Sequence, residues 1–284
     1  MALCAVCFFW GTTYLGIRIA LESFPPVVLM ASRFIISGLV ILIAARVTGS
    51  ALPRGQELWR TALFGVMVLG VGNGCLAFAE QWIPSGLAAL FITTGPFWMV
   101  GIETLVPGGA RFHPPALAGM LIGLAGVVFL LSRDGGLSGI HGNTLAGFLT
   151  LQLGCLGWSL GAILQRRQVG VAHPIVSGGV QQLATGLVFL IPALLERQHI
   201  TWSTRGALAI LYLVIFGSIV GYSAFIYSMT KLPVSIVSIY NYVNPVVAVS
   251  LGWLFYREPF GMREMIAMAI IFVGVYLVKR YSAH

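Results

Sequence analysis

The chain has 284 residues, of which 58% are hydrophobic and only 8% charged, with a mean hydropathy of +0.94. No ordinary water-soluble domain approaches that composition, so the sequence describes an integral membrane protein. The net charge of +8 is scattered over helix ends and short loops and forms no continuous stripe, which argues against a nucleic-acid partner.

A spanning helix needs about 20 mostly apolar residues. Such windows recur at 2–21, 26–45, 61–80, 84–106, 114–132, 144–165, 174–195, 206–229, 233–256 and 262–280, which predicts ten helices. No basic residue precedes the first window, so it reads as a retained helix rather than a signal peptide. Cys4 and Cys7 form one C-x-x-C in this helix without a second ligand pair, and neither a metal nor a cofactor is expected. In the second helix, Arg33 lies nearest the midpoint of any charge, where it either meets a substrate carboxylate or ties helices together. The third places Asn73 between Gly70 and Gly74, followed by Phe78. Glu80, Glu103 and Arg18 lie nearer span ends and are expected to reach the interface.

The fourth helix carries Pro96 and Trp98. The sixth sets Gln152, Cys155 and Ser159 on one face beside Trp158, and Gln181 and Gln182 lie on the seventh. The eighth has Gly217 and Gly221 beside Tyr222. The ninth, "SIYNYVNPVVAVSLGWLF", crowds Ser238, Tyr240, Asn241, Tyr242, Asn244 and Pro245 into its first turns. Unsatisfied amides are costly in hydrocarbon, so this polar side should face a cavity, while Pro96 and Pro245 bend their helices and free backbone carbonyls. For each asparagine the competing reading is a packing contact, and for each ring it is packing or lipid contact. Trp59, Trp82, Trp202 and Tyr281 read as interfacial anchors.

The halves repeat. Trp10 maps to Trp158, Pro26 to Pro174 and Gly126 to Gly274, while Pro84 and Pro96 map to Pro233 and Pro245. Repeats at 1–136 and 144–284 each carry five spans, an odd number, so the second copy should cross the membrane upside down. The expected fold is all-α, with ten transmembrane helices in two inverted five-helix repeats around a central cavity. Simple duplication in a structural membrane protein is the alternative. On the face of the N-terminus, Arg46, Arg54, Arg60, Arg111, Arg166, Arg167, Lys231, Lys279 and Arg280 outnumber Arg133, Arg197, Arg205, Arg257 and Arg263 opposite. This predicts cytoplasmic termini.

"FWGTTYLGIRIALESFPPVVLMASRF", "GPFWMVGIETLV" with "AGMLIGLAGVVFLL", and "NPVVAVSLGWLFYREPFGMREMIAMAIIFVGVYLV" resemble the first helix pair and the fourth and fifth helices of the EamA family, in the drug/metabolite transporter superfamily. Among its branches the chain resembles the YddG-type exporters of aromatic amino acids. The resemblance implies a ten-helix exporter of a bacterial cytoplasmic membrane. The acidic residue common after the fourth helix stands here as Glu258 in the second copy and as Ala110 in the first, which departs from a symmetrical pattern.

The expectation is an alternating-access exporter of small metabolites, foremost amino acids with aromatic or large apolar side chains, working in the lipid bilayer with a monomer favoured. Drugs, polyamines, sugar phosphates and nucleotide sugars are alternative solutes. The expected substrate-binding residues are Asn73, Phe78, Trp98, Gln152, Trp158, Tyr222, Ser238, Asn241, Tyr242 and Asn244, with Pro96, Pro245 and Arg33 as kink or gating residues. A membrane-embedded enzyme would need a nucleophile with its base or an H-E-x-x-H set, and neither occurs. No carboxylate or histidine lies near a span midpoint, so facilitated movement or exchange is expected rather than tight proton coupling.

Overall fold

The structure, a computed structural model, describes residues 1–105, 114–131, 142–167, 172–232, 240–258 and 260–282. Ser238 and Ala110 lie outside them. The described residues are helical, without strands, and form ten helices: α1 (Ala2–Leu21), α2 (Pro26–Val47), α3 (Gly55–Ala79), α4 (Ser85–Leu105), α5 (Pro114–Leu131), α6 (Gly142–Arg166), α7 (Pro174–Leu195), α8 (204–231), α9 (Tyr240–Tyr256) and α10 (Met262–Ser282). Seven of these are long and apolar enough to cross a membrane by length and composition.

Local sequence sets the helix ends. Pro26, Pro114 and Pro174 open α2, α5 and α7, where the missing N–H costs nothing. The Ser203 hydroxyl caps α8 by accepting from the Gly206 N–H at 3.0 Å. Outward faces of α2 (Ile36, Leu39, Val40, Ile43) and α7 (Leu187, Val188, Ile191, Leu194) expose a belt of aliphatic side chains suited to lipid tails. Trp59 and Trp202, at 77% and 79% exposure, mark its rims.

Glycines bring the helices together. A Cβ on Gly38 would lie 2.5 Å from the Leu183 nitrogen, one on Gly186 2.5 Å from that of Ile35, and one on Gly179 2.8 Å from the Ile41 side chain. These partners descend along α7 as they ascend along α2, so the two helices run antiparallel. On α5, Gly119 meets Gly274 and Leu277 of α10 while Gly126 meets Ile271, again antiparallel. Helix α1 runs antiparallel to α8 (Gly16 on Leu213, Gly221 on Trp10), and α6 likewise to α3 (Gly161 on Val68, Gly157 on Val71). Parallel to α1 lies α9, with Gly11 on Val247; α4 holds the same relation to α6, with Gly147 on Ile83 and Cys155 on Ile92.

Two irregularities escape the periodicity of the sequence. Helices α3 and α8 each pass through a π-helical stretch, Val66–Val71 and Leu213–Val220, at matching places in the two halves. Helix α4 breaks between Ile92 and Gly95. Pro96 cannot donate to the Ile92 carbonyl, and the Cys155 thiol of α6 points to that oxygen at 3.8 Å. The Thr93 and Thr94 hydroxyls donate to the Leu90 and Phe91 carbonyls at 2.5 and 2.8 Å. Pro245, in contrast, sits inside an uninterrupted helix, Tyr240–Tyr256.

The end of the bundle remote from residue 1 is latched. The Glu258 carboxylate, from the α9–α10 corner, accepts from the Ser85 N–H, the Ser85 hydroxyl and the Gly86 N–H, each at 2.9 Å, at the start of α4. The Tyr256 hydroxyl donates to Glu22, which also pairs with Arg205 at 3.7 Å. Ser23 and Ser203 share a hydrogen bond of 2.5 Å, and the Thr201 N–H donates to the Ser23 carbonyl at 2.9 Å. At the opposite end, Arg166 pairs with Glu103, which therefore reaches the surface as the sequence predicts.

Gly38→Val should destabilise the protein by about 2 kcal/mol through overpacking, whereas Gly101→Ala, with nothing within 4 Å of the added Cβ, should not. Glu258→Ala strands two backbone donors and a hydroxyl and should cost about 2–3 kcal/mol. Melting of the purified variants in detergent measures both.

Candidate solute site

The middle of the bundle gathers rings from four helices. Trp10 of α1 lies edge-on to Trp158 of α6 at 6.2 Å and to Tyr240 of α9 at 5.2 Å, and Phe225 of α8 tilts against it at 5.0 Å. Phe225 also meets Tyr240 at 5.8 Å and Tyr222 at 6.4 Å. Trp10 and Trp158 are the pair that the internal repeat maps onto each other. Their contact places equivalent residues of the two halves side by side.

Neutral hydrogen-bonding groups frame these rings. The Trp10 indole N–H donates to the Gly217 carbonyl at 3.1 Å, within the π-helical stretch of α8. The Tyr222 hydroxyl donates to Gln181 Oε1 of α7 at 2.5 Å. Across the bundle, Gln152 Oε1 accepts from the Trp98 indole at 2.8 Å and the Thr94 hydroxyl at 2.9 Å, joining α6 to the second half of α4. The nitrogen of that amide is buried without a partner among the described residues.

Arg33 is 4% exposed and borders this region. Its Nε donates to Ser218 Oγ at 2.8 Å, and a Cβ on Gly217 would lie 3.0 Å from its Nη2. Gly217 thus carries the indole of Trp10 on its carbonyl and the guanidinium against its Cα. Buried Nη1 has no hydrogen-bond partner among the described residues, and neither does Gln182 Oε1 nearby, whose amide nitrogen approaches the Ser218 carbonyl at 3.4 Å. A buried cationic donor left open is an anion-binding group by its chemistry.

The structure sorts the expected residues. Trp158 and Tyr222 meet through Trp10 and Phe225, and Trp98 and Gln152 meet each other. Asn244 is buried and, with its amide nitrogen turned toward them, donates to the Cys7 carbonyl at 2.9 Å and the Tyr240 carbonyl at 3.2 Å, tying α9 to α1. Tyr242 lies edge-on to Phe272 of α10 at 5.4 Å. Two positions along a helix turn about 200°, which is why Tyr240 and not Tyr242 meets Trp10. Asn241 is half-buried in the first turn of α9. Asn73 and Phe78 are half-buried on α3, where the adjoining Gly72 and Gly74 pack on Trp158 and Phe189.

Trp10, Phe225 and Gln181 join the site without standing among the expected residues. The sequence signal for Trp10 is its repeat partner, Trp158; for Gln181 it is its alignment with Arg33. A cavity of about 520 Å³ lies away from the rings, at the α9–α10 corner, lined by Trp253, Leu254, Arg257, Glu258 and Phe260.

The EamA-like transporter family model matches residues 1–132 and again residues 145–280. The uncharacterized inner membrane transporter YedA of Escherichia coli strain K12 is 35% identical over 280 residues, covering 98% of this chain and 89% of its own length. Protein PecM of Dickeya dadantii is 26% identical over 277 residues, covering 96% of this chain and 89% of its own. A solved crystal structure with 22% identity superimposes at a TM-score of 0.72 over 100% of this chain and 98% of that one, a likeness of fold. With one transporter model matched through both halves and the ten-helix bundle in place, the chain belongs to the EamA-like transporter family.

Proposed function

We propose that this membrane transporter is an alternating-access exporter of amino acids with aromatic or large apolar side chains. One observation carries the reading: buried Arg33, whose Nη1 has no hydrogen-bond partner among the described residues, sets its Nη2 against Gly217, whose carbonyl holds the Trp10 indole. A zwitterion with a flat side chain needs that combination, an anion-binding donor beside rings that stack or meet edge-to-face. The neutral amides Gln181 and Gln182 suit its polar remainder, and Gln152, Asn73, Phe78, Trp98, Trp158, Tyr222 and Asn241 are the further groups proposed to line its path.

The proposed motion is a rocking of one inverted five-helix repeat, 1–136, against the other, 144–284, about a central chamber. The antiparallel pairing of α2 with α7 and of α5 with α10 supports inversion, because each pair holds equivalent helices of the two halves. The match of one family model to two segments supports the duplication. In this conformer the rings close the centre and the latch closes the end remote from residue 1. The excess of basic residues at the other end supports cytoplasmic termini, in a bacterial inner membrane as for the YedA relative.

Purified protein in liposomes should exchange radiolabelled phenylalanine or tryptophan faster than empty vesicles, and saturably, as a carrier and not a pore does. Trp10→Ala and Arg33→Gln should each lower the initial rate about tenfold, a change of about 1.4 kcal/mol. Trp202→Ala, at the rim, should stay within twofold. No flux of any aromatic amino acid would end this assignment.

A membrane-impermeant thiol reagent tests inversion. Cysteines placed at Ser50 and Ser203 should be labelled from opposite sides of the membrane.

A further inference from the structure

The turn after α3 buries an acid that the solute site leaves unused. The sequence, seeing a charge near a span end, places Glu80 at the interface; the structure corrects this, for Glu80 is 0% exposed. Neither of its carboxylate oxygens has a hydrogen-bond partner among the described residues. Arg18 of α1 points at the same residue but spends its Nη1 on the Glu80 backbone carbonyl.

Three titratable or charged groups face Glu80. From α1 come Arg18 and, one turn earlier, the buried Tyr14, each within electrostatic reach of it. From the α9–α10 corner comes Glu258, a like charge whose oxygens are already taken by Ser85 and Gly86. An ionised Glu80 here would be a dry carboxylate with no hydrogen bond in this geometry, facing one cation whose Nη1 is engaged on its backbone and a second carboxylate within electrostatic reach. Low-dielectric surroundings make that arrangement far more costly than the neutral acid.

We propose that Glu80 is a proton-binding site: the latched end closes with Glu80 as the neutral acid, and opening that end releases its proton to the water there. Opening parts Glu258 from Ser85 and Gly86, and Tyr256 from Glu22. Water then reaches the Glu80 carboxyl, the O–H bond breaks with its electron pair kept on oxygen, and the proton passes to water. Closing again takes one proton back. The proton leaves and returns on the same side, so none crosses the membrane; the pH on the latched side instead biases which end is open, low pH favouring closure. This pH bias rests on the carrier reading above, whereas the protonation state does not.

Two measurements on the full-length protein test it. Infrared difference spectra at pH 7 read the stretching band of a protonated carboxyl, which ordinary exposed carboxyls lose well below that pH. The band should be present in the wild type and missing from Glu80→Gln. Its absence from the wild type, or its persistence in Glu80→Gln, overturns the proposal. If Glu80→Gln does not fold, the wild-type spectrum titrated through neutral pH decides alone, and a band already gone by pH 7 overturns it.

In vesicles, lowering the pH on the latched side alone should slow phenylalanine exchange by the wild type. With Glu80→Gln, the exchange of phenylalanine should continue without that dependence. An unchanged pH dependence in Glu80→Gln overturns the pH bias. Absence of phenylalanine movement by the wild type counts against the solute assignment only, because the infrared band judges Glu80 without any solute.

Discussion

Where Gly38 and Gly186 face the partner helix, α2 and α7 leave no room for a side chain. These two glycines bring backbone within reach of backbone, Gly179 takes the Ile41 side chain, and lipid tails, as apolar as leucine, supply no hydrophobic force to hold helices together otherwise. Dispersion across that seam and its counterpart between α5 and α10 does the holding. Because both seams join helices that stand at equivalent places in the two halves, they also decide how the halves meet. The aromatic cluster between Trp10 and Trp158 is a consequence, since rings of equivalent helices can only converge where the seams leave a gap.

Polar groups inside the bundle obey a stricter rule than in water, for an unpaired one has no solvent to fall back on. The chain answers it both within helices and across them. At the break of α4 the carbonyls released by Pro96 and its neighbours find Cys155 and the threonine hydroxyls; on α9, Asn244 spans the interface with α1. Among the described residues whose buried polar atoms lack a partner, Arg33, Gln182 and Gln152 border the candidate site and Glu80 lies at the latched end. On the carrier reading these are the two regions that change as a solute passes.

Much of this was legible in the amino-acid order. Hydropathy marks the spans because a bilayer imposes a minimum apolar length, and the helix-opening prolines sharpen their ends. The repeat aligns Trp10 with Trp158, and the fold brings the two rings into contact, a convergence that the alignment alone does not state. What the sequence could not reveal depends on rotation about a helix axis and on depth. Tyr240 and Tyr242 are indistinguishable by composition yet stand on opposite sides of α9, and the π-helical stretches of α3 and α8 shift the faces of everything after them. Glu80 misleads for a related reason: proximity to a helix end suggests water, but the α3–α4 turn buries it, with Arg18 donating to its backbone carbonyl.

The pseudo-equivalent pair Arg33 and Gln181 breaks the symmetry of the halves in a way that reaches beyond packing. One carries a positive charge in the depth of the bundle with no carboxylate bonded to it among the described residues, and the other is neutral. A charge so placed feels the electric field across the membrane, worth about 2.3 kcal/mol per 100 mV for a full crossing. On the rocking proposed above, a shift of α2 along the normal lets voltage favour one orientation by the corresponding fraction of that energy. The two directions of transport are then inequivalent even when solute concentrations on the two sides are equal.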